Sequence, residues 1–471
     1  MAIENKPDVK ILISLIEVWD LEDIDDVNAE PSNDVMYLAE VENVTIEDTY
    51  KKVICTAKVR FPRGTVLHRN TQSIDTYGTV TASVTDQGII ATTSNNSTLL
   101  DTSDFKMGQR IRIYLAYTTD PEVANYARAT RAKNIFNDTE IRTLYKENLE
   151  EYFNGYITGI SLETPVELEC ENLASYLKKK TCPNVPAGSS LSVNTLLADD
   201  GEYQLLKGSG LSLYPATKSC DITLAGIELS NELTVADLLQ VWSRYHVYAY
   251  VKYSDGTPYL AVGRIYFSSA DKDSIVEESG SVPDILFDYH VVENGLTTTA
   301  TDKAYLAVDA NAFDSDGRQI HVTVRRSPTW EEGDDVANKY QKLNETTLTK
   351  KAQKARTTTQ AGAEVSLENY SIIPYTSPNM NITTDELFQE AVKYLEGANM
   401  NGISGSLTLF GDLHIQSGMK VHLYDSRYTV KNGNYVVEGV ETTFGTNGFR
   451  QQINLPYCVG RDATEEEEET E

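Results

Sequence analysis

The sequence predicts a mainly β protein with an α+β middle domain, two related β-barrel domains and a helical insertion. Three observations carry this. Short runs rich in Thr, Val and Tyr, the last present 28 times, alternate apolar and polar residues, as half-buried strands do. In the middle third, Ser or Thr precedes apolar residues at helical spacing. Two distant β stretches repeat one another.

Length and composition bound the answer. The 471 residues suit about three domains. Hydrophobic residues make up 40% and charged residues 24%, so a core is available. Without a run of about 18 apolar residues, membrane insertion is not expected. The stretch Met1 to Lys10 mixes charges with Pro7, and Glu17 interrupts Ile11 to Val18, so no secretory signal is visible. A formal charge of −29 disfavours groove-tracking DNA binding, which clusters Lys and Arg. It suits solubility, or a surface that must not hold a passing polyanion. The five cysteines (Cys55, Cys170, Cys182, Cys220, Cys458) form no Cys-x-x-Cys pair and fit free thiols in a reducing compartment, with Cys170 and Cys182 the pair that could meet across a loop.

In chain order, strands are expected at Val9 to Val18, Val35 to Val44 and Val53 to Phe61, the last ended by Pro62-Arg63-Gly64. Thr76 to Leu100, with turn signals at Asp86-Gln87-Gly88 and Asn95-Asn96, reads as a long loop or projecting hairpin. Met107 to Leu115 alternates cleanly. Asp120-Pro121 breaks the pattern and opens a helical insertion running to Glu151. Strands return at Phe153 to Ile160 and Val166 to Cys170, and a short helix at Asn172 to Lys180 closes the first barrel, 1–118 continued at 152–180, around the insertion 119–151.

The middle domain, 181–284, carries N-cap signatures at Ser192 and Thr234, then a hairpin of His246 to Tyr253 and Pro258 to Gly263 about Asp255-Gly256. The second barrel, 285–330 continued at 365–460, includes strands at Ala304 to Ala310 and Ile320 to Val324. A polar excursion at 331–364 interrupts it. Thr383-Thr384-Asp385-Glu386 caps a helix with the stripe Leu387, Phe388, Ala391, Val392 and Leu395. Residues 461–471 form an acidic tail, expected to be disordered by mutual repulsion.

The repeat joins Gly108-Gln109-Arg110-Ile111-Arg112-Ile113-Tyr114 to Gly418-Met419-Lys420-Val421-His422-Leu423-Tyr424. Gly155 to Ile160 then matches Asn434 to Val440, and Glu167 to Cys170 matches Gln451 to Leu455. Two barrels per chain allow a trimer to set six barrels about one axis, a pseudo-sixfold ring that also hides sheet edges.

At these strands the sequence resembles the tail hub, or baseplate hub, proteins of tailed bacteriophages, related to the hubs of contractile injection systems. Gly411 to Val421, Gly433 to Val440 and Gly448 to Leu455 carry most of the resemblance. Gly108 to Tyr117, Phe153 to Ile160 and Cys170-Glu171-Asn172-Leu173 match in order. About half the chain is covered; the insertion Asp120 to Glu151 and the excursion Trp330 to Glu364 depart from the pattern. The resemblance implies a structural virion protein at the tail tip or baseplate, assembled in the host bacterial cytoplasm. It implies a homotrimer joining a sixfold tail tube to a threefold tip or spike, with other baseplate proteins as partners. DNA would pass transiently through an acidic channel without specific binding.

Chemistry has little support in the sequence. His68, His246, His290, His321, His414 and His422 are scattered singly; His414 and His422 could approach across a turn about Gly418. No His-Glu-x-x-His, Gly-x-Ser-x-Gly or Walker motif occurs. Asp314-Ser315-Asp316-Gly317 lacks the frame and terminal Glu of a calcium loop and reads as a hairpin turn. The sequence therefore offers no catalytic, cofactor-binding or metal residue, and no enzyme activity is expected. The competing reading is a carbohydrate-binding or adhesive β protein whose Tyr-rich loops stack on sugars; a cell-wall enzyme ranks third, lacking an identifiable acid and base pair.

Overall fold

A computed structural model of the chain describes residues 10–20, 35–69, 80–85, 88–93, 97–120, 123, 139–243, 247–254, 257–265, 282–298, 306–313, 318–326, 340–348, 371–380, 382–398, 403–456 and 458–461. The fold is mainly β, and nearly half of its described strands belong to one sheet.

The first unit is an antiparallel run in the order Asn43–Thr49, Thr56–Arg60, Glu167–Asn172, Glu150–Ile160, Arg110–Thr118, Ile11–Trp19, Met36–Leu38, Val66–Arg69, Ser97–Leu99. Period-two alternation makes it two-faced. Ile111, Ile113 and Leu115 point inward onto Ile16, Val18, Val44 and Val59, all nearly inaccessible. Within Thr76 to Leu100, Val80–Thr85 and Gly88–Thr93 pair as the expected hairpin.

The opposite face of Arg110–Thr118 is covered by the insertion. Its helix Thr139–Lys146 lays Tyr145 beside Tyr114, Ile13 and Trp19. The Tyr145 hydroxyl donates to the Ser14 carbonyl at 3.1 Å, and Lys146 Nζ meets the buried Glu17 carboxylate at 3.0 Å. Glu150 and Glu151 already belong to the returning strand, so the described insertion is shorter than its sequence signal; 121–122 and 124–138 lie outside the described residues.

The middle region has its own core and shares it. Leu196, Leu197, Leu238, Leu239 and Trp242 pack with Leu173 and Leu177 of the first unit. Both expected caps form: Ser192 Oγ accepts from the Thr195 amide at 3.1 Å and Thr234 Oγ1 from that of Asp237 at 3.2 Å. The segment expected to be helical at Asn172 to Lys180 is a 3-10 turn, Leu173–Lys178. Tyr248–Ser254 and Thr257–Gly263 form the hairpin, although 255 and 256 lie outside the described residues.

The stretch expected as the second barrel divides in two. Leu306–Phe313, Gln319–Arg326, Tyr340–Leu348 and Ser371–Met380 form a separate four-stranded sheet, with Leu306–Phe313 and Ser371–Met380 parallel. The helix Thr384–Ala398 covers it, burying Leu387, Ala391, Val392 and Leu395 against Val308, Val322 and Val324. Its N-terminus carries the expected box: the Thr383 amide donates to Glu386 Oε2 at 2.7 Å, and the Glu386 amide returns to Thr383 Oγ1 at 3.2 Å. Alternation marked these strands as half-buried, but not which sheet they join. Tyr340–Leu348, inside the polar excursion, is a ladder strand along Gln319–Arg326. The rest of 331–364, the Asp314 to Gly317 turn and the tail 462–471 lie outside the described residues.

What remains of the second unit surrounds Ile285, Leu407, Leu409, Val421, Leu423, Tyr435, Ile453 and Leu455. Its strands run in the order Val291–Asn294, Ile403–Phe410, Gly448–Leu455, Gly439–Gly445, while Lys420–Tyr424, Gly433–Val436 and Cys458–Arg461 form an adjoining sheet with Asp284–Leu286.

Candidate functional site

The two glycines that open the repeated strands hold the same backbone state, with φ of 87° at Gly108 and 74° at Gly418. Each makes the same pair of hydrogen bonds. The Gly108 amide donates to Ile157 O at 2.8 Å while the Ile157 amide donates to Gln109 O at 2.9 Å. The Gly418 amide donates to Val437 O at 2.8 Å while the Val437 amide donates to Met419 O at 2.9 Å. The following ladder agrees too: Ile160 faces Leu168 where Val440 faces Ile453. Leu168 faces Val59, which faces Val44; Ile453 faces Leu407, which faces Asn294. The units are structural copies over these strands.

They are not separate barrels. Asn43–Thr49, the strand that would have to close the first unit, pairs instead with Gly439–Gly445 of the second, from Thr49 opposite Gly439 to Asn43 opposite Gly445. The paired segments are far apart in sequence: Thr49 Oγ1 donates to the Glu438 carbonyl at 3.0 Å across 389 positions. The seam is apolar on one side, where Phe444 and Phe449 of the second unit enter the first unit's core beside Val44 and Ile46. Burying two aromatic side chains this way is worth roughly 2–3 kcal/mol each.

The other side of the seam is polar. The loop from Gly411 to Met419 is held by all three neighbours: the Ser417 amide donates to Asp48 Oδ2 at 2.9 Å, the Tyr253 amide donates to Gln416 Oε1 at 3.1 Å, and Gln451 exchanges two 2.9 Å bonds with the Ile415 backbone. Burial pushes the Asp48 carboxyl up, against the lowering pull of the Ser417 bond. Burial also pushes the Cys55 thiol well up, with the Asp48 charge adding to it. Asp48, Cys55, Tyr152, Gln416 and Gln451 line a cavity of about 40 Å³, the size of a water pocket rather than a ligand site.

The histidines are distributed as the sequence has them, singly. His414 and His422 do not come together: His414 Nδ1 meets Glu150 at 3.0 Å with its ring 4.2 Å from that of Tyr152, whereas His422 Nδ1 meets Asp284 at 3.0 Å. His321 pairs with Asp309, and His290 Nδ1 accepts from the Leu286 amide. Among the described residues no cluster of His, Cys, Asp or Glu could hold a metal, and all five cysteines are free. His246 lies outside the described residues. The functional surface missed by sequence reasoning is the seam itself. Its signal was the unequal length of the two copies' hairpins, since the second runs on through Phe444 and Phe449 before returning.

No family model matches the chain, and no curated protein does. Among solved structures, the tail protein from Neisseria meningitidis is similar over 94% of this chain and 96% of its own, at 10% identity and a TM-score of 0.45. The 43 kDa tail protein of a Shewanella oneidensis prophage is similar over 96% and 100%, at 9% identity and a TM-score of 0.47. A component of the Escherichia coli type VI secretion system, itself described as similar to bacteriophage tail proteins, is similar over 95% and 79%, at 9% identity and a TM-score of 0.36. The first two are tail proteins by name, and the third is described as similar to tail proteins.

Proposed function

We propose that the chain is a structural component of a phage-like tail, a homotrimeric hub between a sixfold tail tube and a threefold tip or spike. The supporting observation is the copied unit: two copies share glycine conformation, hydrogen bonds and strand order, and join head to tail through a continuous sheet. A head-to-tail contact within one chain is a heterologous contact, and such contacts close into rings when the rotation allows. Three chains then supply six copies to six tube subunits. The net charge of −29 suits a channel wall that repels phosphate and lets a genome pass. Such a protein resides in the virion and performs no catalytic step.

The test is the solution mass of the purified chain by light scattering, with negative-stain averaging of the same sample. A mass three times 52.4 kDa and a ring with a central hole and six lobes is the expected result. A monomer at high concentration, alone and with tube protein present, overturns the proposal.

A second reading draws on one surface. Tyr289, Tyr424 and Tyr428 are 75%, 47% and 63% exposed near one end of the second unit, aromatic faces of the kind an adhesive β protein offers to sugars. Glycan-array binding lost on Tyr428→Ala would favour it.

A further inference from the structure

The strand that carries the seam has a counterpart with no strand on its outer side among the described residues. In the copy relationship Val44 corresponds to Asn294, and Glu47, which faces Thr56, corresponds to Thr297, which faces Ser404. Ile46 therefore corresponds to Leu296. Asn43–Thr49 has its outer side filled by Gly439–Gly445, whereas Val291–Asn294 ends the large sheet with no strand beyond it among the described residues. Thr297–Thr298, the part of this edge that corresponds to Glu47 and Asp48, likewise pairs only with Ile403–Phe410 among the described residues. An open edge of this kind is a template for another strand.

The segment that would fill it is also identified by the repeat. Gly439–Gly445 corresponds to the stretch that begins at Gly159 and Ile160, because Ile160 and Val440 face equivalent partners. In the first unit this hairpin is short, and its outer side carries no strand among the described residues. At its tip Leu162 is 91% exposed, an apolar side chain presented to solvent where the second copy presents its extension to a core.

Resting on the trimer reading above, we infer that the 159–162 segment of one copy of this chain adds as a strand to the 296–298 edge of the next. The intrachain register, with Val440 opposite Asp48 and Thr442 opposite Ile46, fixes the register between chains. It places Ile160 opposite Thr298, Ser161 opposite Thr297 and Leu162 opposite Leu296. Repetition of the contact closes the ring using the geometry that already joins the two copies.

Paired residues across an antiparallel ladder are close enough for a disulfide. The double variant Ser161→Cys with Thr297→Cys, oxidised in the full-length protein, should run as covalent dimer and trimer on a non-reducing gel. Each single variant should not, and neither should Ser161→Cys with Gly295→Cys, which is displaced along the ladder. Leu162→Lys, at a site too exposed to disturb folding, should weaken association at least tenfold by light scattering with thermal stability unchanged. A wild-type trimer that gives no covalent ladder and tolerates Leu162→Lys overturns this interface and leaves the hub reading standing. A wild-type chain that stays monomeric even with tube protein overturns both.

Discussion

Gly418 lies directly against Tyr250: a methyl group built on the glycine would stand 2.2 Å from the phenolic oxygen and 2.6 Å from its ring carbon. The contact locks the repeat glycine of the second unit onto the middle region, where the Tyr250 hydroxyl is buried with no hydrogen-bond partner among the described residues.

Gly108 and Gly418 share a positive φ but differ in surroundings, since a methyl on Gly108 meets nothing within 4 Å. Gly108→Ala should cost about 1–2 kcal/mol from backbone strain alone. Gly418→Ala should cost about 2–4 kcal/mol, because overpacking adds to the strain. Denaturant unfolding of the two variants measures the gap. Tyr250→Phe should be neutral or stabilising by about 1 kcal/mol, and should recover part of the Gly418→Ala loss.

Phe449 is 1% exposed and belongs by sequence to the second unit but by packing to the first. Phe449→Ala should destabilise by about 3–5 kcal/mol. Because the side chain bridges the units, hydrogen exchange should rise in Asn43–Thr49 as well as in the mutated strand. A rise confined to residues 448–455 would show that the seam does not couple them.

Lys252 is 7% exposed, and its ammonium donates to the Tyr214 hydroxyl at 2.8 Å. Burial lowers its pKa to about 8. Between that value and the usual Lys value near 10.4 the unfolded chain binds more protons than the folded one, so this group's contribution to stability rises with pH across the window. Below pH 8 the penalty for the buried charge is fully present. Lys252→Met should therefore raise the melting temperature at pH 7, with the advantage fading toward pH 10.5.

At Asp48 the sign is opposite to that of an ordinary paired carboxylate. Its raised pKa means that the folded chain holds the proton more tightly, so from about pH 4 upward the group contributes less stability as pH rises. Asp48→Asn keeps an acceptor for the Ser417 amide and removes the charge. It should raise the melting temperature at pH 7 and leave it unchanged near pH 3.5; a drop at pH 7 would mean that the charged form is what holds the loop.

How much of this was legible in the sequence depends on how local each feature is. The caps at Ser192, Thr234 and Thr383 and the alternation of Arg110–Thr118 are set by residues within a few positions, and each was readable. The Gly108 and Gly418 repeat was readable because positive φ and alternation leave matching local marks. Pairing of Asn43–Thr49 with Gly439–Gly445 leaves none, since alternation fixes which side chains turn inward but not which edge a strand meets. Tyr340–Leu348 was missed because its Lys, Asn, Glu and Thr residues resemble a loop in composition while its backbone completes a sheet. The Asp48 loop clamp draws on three distant segments and could not be assembled from spacing.

The seam between Thr49 and Glu438 also bears on kinetics. A strand tethered to its partner by one chain meets it at an effective concentration set by the intervening polypeptide, in the millimolar range for short flexible tethers and lower for long ones. That encounter does not depend on how dilute the protein is. The two copies therefore join as each chain folds, whereas any contact between chains must await collision, so dilution separates chains and leaves each pair of copies intact.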